Sequence, residues 1–327
     1  MVQQDIERAV AILRRGGLVA FPTETVYGLG ADAQRAEAVE RIFAAKGRPS
    51  DHPVIVHVPA GADLGRWAAR VPVAAERLAE RFWPGPLTLV LPRGPRVPDA
   101  VTGGQNTVAL RVPDHPLALA LLSAFGDGIA APSANRFGRV SPTLAEHVRE
   151  ELGSAVDLIL DGGPCRVGLE STILSLVNDR PRVLRPGAIT AAEIAEVLQE
   201  TVGSGPGATA IRAPGLLDAH YAPSTPMTLV PAPALVDEAM SLHRRGSAIT
   251  VLARVPMPVP LRPILGEGTK PVVWIVAPAS SHAYAHALYA TLRAIDRRQV
   301  ERILVEEPPA IDEWTAVTDR LRRASHG

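Results

Sequence analysis

The chain of 327 residues is long for one core and comfortable for two domains, and 46% hydrophobic residues suffice to fill them. Its 34 basic and 34 acidic side chains cancel, so no global field draws in nucleic acid or an anionic membrane, and any anion site must be local. Cys165 is the single cysteine, which excludes an internal disulfide, a cysteine-rich zinc site and a CxxC redox pair.

In chain order, the opening residues MVQQDIERAVAILRRGGLVAF carry acidic groups at amphipathic spacing rather than a basic start and an apolar signal core. No apolar run is long enough to span a bilayer, so the expectation is a cytoplasmic protein. Ile6, Val10 and Leu13 share one face of a helix that stops at Gly16-Gly17. LVAFP then reads as a short buried strand closed by Pro22, and AEAVERIFAAKG (36–47) as a helix ending on glycine. PVIVHV (53–58) is β-branched and alternating, a strand; VPVAAERLAERFW (71–83) is helical, and PGPLTLVL (84–91) a turn into a strand. TVALRVP (107–113) is a strand, PLALALLSAFG (116–126) a helix, and GIAAPSA (128–134) a strand running into a loop. TLAEHVREEL, VDLILDGG, STILSLV and ITAAEIAEVLQ, between 143 and 199, continue the mixture. Several strands are separated by too little chain for a helical crossover, so the class is α/β with a mixed sheet.

Residues 203–226, GSGPGATAIRAPGLLDAHYAPSTP, hold no sustained period and many Gly and Pro, the composition of a linker. Beyond them MTLVP, SAITVLA, KPVVWIVAP and ERILVEE read as strands interleaved with helices, a smaller Rossmann-like open α/β sheet of the doubly wound type. The predicted division is a first domain over 1–202, a linker over 203–226 and a second domain over 227–327.

Polar clusters sit in loops at strand ends of the first domain. FPTETVYGLGADA places two threonines and a glutamate after a strand, AKGRPSDHP follows a helix, and Arg111 ends a strand. APSANRFGRVSPT offers Ser133, Asn135, Arg136, Arg139 and Ser141, and GLESTI and LRPGAI add Ser171, Thr172 and Arg185. Glycines that admit backbone N–H groups, arginines that fork onto oxygens and a lysine acting as a point charge together suit a nucleotide triphosphate. Each piece also has an ordinary use, because Thr, Ser, Gly and Pro at strand ends are common turn residues. VYGLGADA fits a loose GxGxxA pattern, but Pro22-Thr23-Glu24-Thr25 separates it from the strand, against a dinucleotide fingerprint. No GxxxxGK[ST] or GxSxG occurs, and His282 and His286 lack an adjacent glutamate, which favours a surface or packing role over zinc. Lysine is found only at Lys46 and Lys270, and asparagine only at Asn106, Asn135 and Asn178. In a chain so rich in arginine, a retained compact ammonium suggests that Lys46 does something Arg cannot.

Taken together, PTETVYGLG, AKGRPxxxPxxVH, FWPGPLTLVL, ALRVPDHP, APSANxxGxxSPT and GLESTI…LRPGAI resemble the YrdC family of threonylcarbamoyl-AMP synthases over about residues 5–200. PGLLDAHYAP and the α/β tail resemble the long form of that family, with its extra C-terminal domain. The resemblance implies a YrdC-like twisted mixed sheet with flanking helices, and condensation of L-threonine, bicarbonate and ATP, carried with Mg²⁺, into threonylcarbamoyl-adenylate and pyrophosphate. It implies no organic cofactor, and downstream threonylcarbamoyl transferase proteins acting on tRNA; contact with tRNA itself is left open. Carried over by motif, Thr25, His57, Arg111, Ala131 through its backbone and Ser171 are threonine positions, with Arg111 taking the carboxylate as a bidentate pair. Arg48, His52, Thr107, Ser133, Ser141 and Arg185 are nucleotide positions, and His52 stands where many relatives have asparagine. His220 and Tyr221 match a segment that serves as a lid. On this reading Lys46 and Arg48 leave the helix end at Gly47, face the triphosphate and neutralise charge on the departing pyrophosphate. The rival from another class is a double-stranded RNA-binding module, its arginine-rich loops forming a concave basic surface.

Overall fold

A computed structural model describes residues 2–178, 180–205, 211–258, 270 and 272–327. The chain divides into two compact units, Met1–Phe137 with Ser141–Leu216, and Gly138–Val140 with Leu217–Gly327. Each is built from alternating strands and helices.

The strands of the first unit are β1 (Val19–Phe21), β2 (Gly28–Asp32), β3 (Ile55–His57), β4 (Leu87–Pro92), β5 (Thr107–Arg111), β6 (Ile129–Ala130), β7 (Leu158–Ile159), β8 (Thr172–Ser175), β9 (Arg182–Arg185) and β10 (Gly203–Ser204). They form one mixed sheet in the order β10-β9-β8-β4-β5-β3-β6-β2-β1-β7. Side-chain alternation along each strand sorts residues onto two faces. Leu29, Val56, Leu89 and Leu110 face one way and pack with α2 (Ala36–Lys46), α3 (Val73–Phe82), α6 (Ala145–Leu152) and α7 (Ala191–Leu198) through Ile42, Leu78, Val148 and Ile194. On the other face, Val19, Phe21 and Ile129 pack with α1 (Val2–Arg14) and α5 (Pro116–Phe125). Further along that face Ile55, Val90, Ala109, Ile173 and Leu184 are covered by Ile211, Ala213 and Leu216 instead of a helix. Thr88, Thr107, Arg111 and His57 share the parity of Val90, Ala109 and Ile55, so they point to this strapped face.

Two readings change. VYGLGADA, read as a polar loop, contains strand β2, antiparallel to both β1 and β6. Its glycines are required by packing: a Cβ on Gly30 would sit 2.8 Å from Phe21 Cε1 and from Ile129 Cγ2. The expected linker over 203–226 is not one segment either. Gly203–Ser204 pair with β9 as the sheet's edge, residues 206–210 lie outside the described residues, and 211–216 strap the first unit. Hydrogen bonds from the Arg212 backbone to Gln105 and from its guanidinium to the Gly103 carbonyl fasten that strap.

The second unit holds β11 (Met227–Val230), α8 (Leu235–Arg244), β12 (Ile249–Ala253), β13 (Val272–Val276), α9 (Ser281–Asp296), β14 (Arg302–Glu306) and α10 (Thr315–Ala324). Its sheet is parallel, ordered β11-β14-β12-β13, as the alternating pattern predicts for a small doubly wound domain. Residues 217–226 pack within it. Tyr221, at φ 63°, is 1% exposed, stacks on Tyr289 and lies under the buried guanidinium of Arg320. Gly138–Val140 belong here too: Ala222 donates to the Gly138 carbonyl, Arg293 to the Val140 carbonyl, and Arg139 pairs with Asp296 at 3.6 Å.

Candidate functional site

The first unit gathers its buried polar side chains around β3 and β5. These strands run parallel with His57 opposite Arg111, so the C-terminal end of the pair carries both. Arg111 is 3% exposed; its Nε donates to the Gly85 carbonyl (3.2 Å) and its Nη2 to Thr25 Oγ1 (3.0 Å). The same Nη2 stands 2.7 Å from Glu24 Oε1. That contact is an ion pair and not an aligned hydrogen bond, since Oε1 is buried without a well-directed donor. Nη1 is left as the arm with no hydrogen bond to a described residue, so the bidentate fork expected for a substrate carboxylate is not available. Arg111 has one nitrogen to offer.

His57 is almost wholly buried, edge-on to Phe21, and its Nδ1 has no partner among the described residues. Burial, and then the Arg111 charge, hold its pKa well below the usual histidine value, so the ring is neutral with one unused nitrogen. Ser171 precedes β8 at the same end. Its hydroxyl pairs with Thr88 Oγ1 at 2.7 Å, and Arg185 clasps it, Nε and Nη2 on the Ser171 carbonyl and Nη2 on the hydroxyl. Arg185 also donates to the Pro214 carbonyl of the strap. The sequence assigns Arg185 to the nucleotide; in the structure it holds Ser171 and the strap.

The other end of β3 and β5 carries the second group. Thr107 begins β5 and is half-buried, about 13 Å along the strand from Arg111. Helix α2 ends where Gly47, at φ 63°, lets Gly47 N–H reach the Ala44 carbonyl and Arg48 N–H the Phe43 carbonyl. This turn sends Arg48 inward, where Nη2 donates to the Pro53 carbonyl and the guanidinium lies 5.7 Å from the Phe137 ring. His52 meets the same ring edge-on at 5.4 Å, and burial followed by the Arg48 charge lowers its pKa.

Lys46 is put to a different use from the one its sequence position suggests. It is 3% exposed, and its ammonium donates to the carbonyls of Ser133 and Asn135, while Phe137 N–H returns a bond to the Lys46 carbonyl. Burial first and Arg48 second push its pKa well below the ordinary lysine range, against a smaller opposing effect of Glu151. The compact ammonium at the end of α2 reaches both carbonyls from a single atom, which a broader guanidinium would do only with two nitrogens set in one plane. Lys46 is thus a clamp on the Ser133–Phe137 loop rather than a cation facing a triphosphate. Ser141, on the same segment, donates its hydroxyl to Glu170 Oε1 at 2.6 Å and so meets a ligand as an acceptor. Ala131 N–H is used by the Ile55 carbonyl.

Of the arginines expected to form a basic RNA surface, Arg48, Arg111 and Arg185 are inside, at 8%, 3% and 3% exposed, while Arg136 is exposed and Arg139 half-buried. His220 and Tyr221 lie in the second unit, their rings 4.1 Å apart and the His220 N–H on the Arg323 carbonyl. His282 and His286 are exposed on α9, and among the described residues no group of three or more His, Cys, Asp or Glu could hold a metal. No described helix is long and apolar enough to cross a membrane. Sequence reasoning missed Glu24 and Glu170; the available signal was two carboxylates set among buried threonines and serines, which need a cation or hydroxyl to be there at all.

The first unit is thus a mixed α/β domain with a hydroxyl-and-arginine group at one end of β5 and a lysine-clamped loop at the other. Residues 11–187 match the family model described as Telomere recombination, covering the Sua5, YciO and YrdC proteins, and residues 189–326 match Threonylcarbamoyl-AMP synthase, C-terminal domain. The chain is 40% identical to the threonylcarbamoyl-AMP synthase of Pyrococcus abyssi, over 98% of this chain and 94% of the relative. It is equally 40% identical to that of Bacillus subtilis, over 98% and 93%. Among solved structures, P. abyssi Sua5 complexed with L-threonine superposes with TM-score 0.87 at 40% identity, covering 98% of this chain and 94% of that one. A variant of that protein with an adjacent histidine and tyrosine both changed to alanine gives TM-score 0.87 at 39% identity, covering 98% and 92%. E. coli YciO gives 0.52 at 30% identity over 59% and 93%. The chain belongs to the threonylcarbamoyl-AMP synthase family, in its two-domain form.

His57 makes a pH prediction. Its folded pKa is depressed, so below the unfolded value of about 6.5 the unfolded chain binds the extra proton and stability falls with pH. His57→Gln should flatten the loss between pH 7 and 5 by up to about 1.4 kcal/mol per pH unit, read by urea denaturation. An unchanged slope would mean that the buried ring is not kept neutral.

Proposed function

We propose that the chain is an L-threonylcarbamoyladenylate synthase, joining L-threonine, bicarbonate and ATP into threonylcarbamoyl-AMP with release of pyrophosphate and water. The observation that carries this is the pairing of a one-armed buried Arg111, with the neutral His57 and the hydroxyls of Thr25 and Ser171 beside it, at one end of β5 and the Arg48–Ser133 group at the other. The P. abyssi and B. subtilis relatives carry the same name over nearly the whole chain, and the P. abyssi structure is titled as complexed with L-threonine.

In this reading Arg111 Nη1 holds the threonine carboxylate end-on, His57 Nδ1 and the Ala131 backbone complete the amino-acid site, and Ser171 is presented by Arg185. ATP enters as its Mg²⁺ complex and lies along Arg48, His52, Thr107, Ser133 and Ser141. A threonine carbamate then attacks the α-phosphate in line. Catalysis is by positioning and by fixed positive charge, with Arg48 the group that meets phosphate and Lys46 the clamp that fixes the Ser133 backbone. The product is passed to threonylcarbamoyl transferase proteins acting on tRNA in the cytoplasm. His220 and Tyr221 serve as a lid that keeps water from the adenylate.

Pyrophosphate release should require threonine and bicarbonate together, and equal release with serine, or without bicarbonate, would contradict the assignment. Arg48→Ala and Lys46→Ala should each lower kcat about 10²- to 10³-fold while threonine affinity stays within a few-fold. Wild-type turnover in either would remove the charge-and-clamp account. A His220→Ala/Tyr221→Ala double variant is expected to lose a larger fraction of its adenylate to hydrolysis, and an unchanged fraction would make the segment a tether.

A further inference from the structure

Glu24 has no part in the reading above, yet its carboxylate is 1% exposed and lies directly behind Arg111. Its Oε2 accepts from the Asp114 N–H at 3.0 Å, which fixes the carboxylate, while Oε1 faces Arg111 Nη2 at 2.7 Å without an aligned hydrogen bond. Burying such a pair is costly, and well-packed apolar residues would often stabilise a fold as well or better. A buried carboxylate beside an arginine with an arm to offer therefore points to ligand recognition.

The charge count is specific. Alone, Arg111 would make the pocket cationic and receptive to any carboxylate. With Glu24 the pair is neutral, and a neutral pair whose cation takes a carboxylate leaves its anion to be satisfied by a second cation. An α-amino acid supplies that cation. With its carboxylate on Nη1, its ammonium lies within about 10 Å of the Glu24 carboxylate, and in a buried site salt screens that attraction far less than it would between exposed charges. The geometry points to Glu24 as the residue that makes the amino-acid pocket select a zwitterion over a simple carboxylate. This rests on the proposed function and adds the chemical form in which the amino acid is taken: carboxylate on Arg111, charged amine compensated by Glu24, before any carbamate forms.

The groups facing Glu24 do not blur a test above neutral pH. Burial pushes the Cys165 thiol up to about 12, and burial lowers the pKa of His115, so both stay uncharged between pH 7 and 10. Asp114 is held by Arg166. Over that range the titrating group that faces Glu24 is the ligand's own amine; Lys46, whose pKa is also pushed down, stands at the other end of β5.

The experiment is calorimetric titration of the full chain, with ATP present, by L-threonine and by (R)-3-hydroxybutyrate, which is threonine without its amine. Wild type should prefer threonine by about 100-fold or more, and Glu24→Gln should compress that ratio at least about tenfold with ATP affinity unchanged. Glu24→Asp should restore part of it. A merely structural role would weaken both ligands together and leave the ratio intact, which would overturn the assignment. Should Glu24→Gln not fold, the wild type decides: threonine affinity must fall as pH rises through the titration of the free ammonium, and a flat or rising affinity overturns it. If the wild type binds no threonine at all, the proposed function fails first and takes this inference with it; bound threonine with an unmoved ratio sinks the inference alone.

Discussion

The ammonium of Lys46, closed between the carbonyls of Ser133 and Asn135, is the contact on which the arrangement of the first unit depends. It ties the end of α2 to a loop of irregular backbone that has no strand partner to fix it beyond the Gly28–Ser133 bridge. Two acceptors converge on one small donor, and the Phe137 N–H closes the ring by returning to the Lys46 carbonyl. Desolvating an ammonium costs several kcal/mol unless its protons are used, and these two bonds offset part of that cost while fixing the loop. Phe137, held at the far side, in turn supplies the ring that Arg48 and His52 pack against. One lysine thereby sets the positions of three side chains.

A second feature is how much polar chemistry the sheet carries inside. Arg111, His57, Ser171, Thr88 and Arg185 are all buried at or beside strands whose opposite parity builds an ordinary apolar core, and the loop between β1 and β2 adds the buried Glu24 and Thr25. Strand alternation makes this division possible: a single strand such as β5 gives Leu110 to the core and Arg111 to the site. The strap over 211–216 and the Arg185 bond to Pro214 then cover that face without a helix. Shielding of this kind strengthens each charge it encloses.

Much of the architecture was legible because periodicity reports burial. Each α-helix described in the second unit, and most elements of the first, follow from apolar spacing alone. Strand β2 escaped because Gly-Leu-Gly-Ala carries a loop composition; what makes it a strand is pairing on both sides under Phe21 and Ile129, which only the fold brings near. The stretch 203–226 was legible as irregular, but composition does not say which body a proline-rich segment packs on, and it proved to be shared between edge strand, strap and second unit. Rarity marked Lys46 as special while leaving its partners hidden, since they lie 87 and 89 residues away. Glu24 was hidden for the same reason: its meaning is Arg111, and nothing local in PTETVYG announces that partner. Spatial neighbours distant in sequence are what a one-dimensional pattern leaves out.

The central claim is that a nucleotide and an amino acid lie at opposite ends of β5 in one unit. A crystal structure of the full chain with a non-hydrolysable ATP analogue and L-threonine tests it most directly. Density for the phosphates against Arg48 and the Ser133 loop, with an amino-acid carboxylate on Arg111 Nη1, is the predicted result. A nucleotide bound away from that loop, or threonine absent from the Arg111 end while the nucleotide is present, would contradict it.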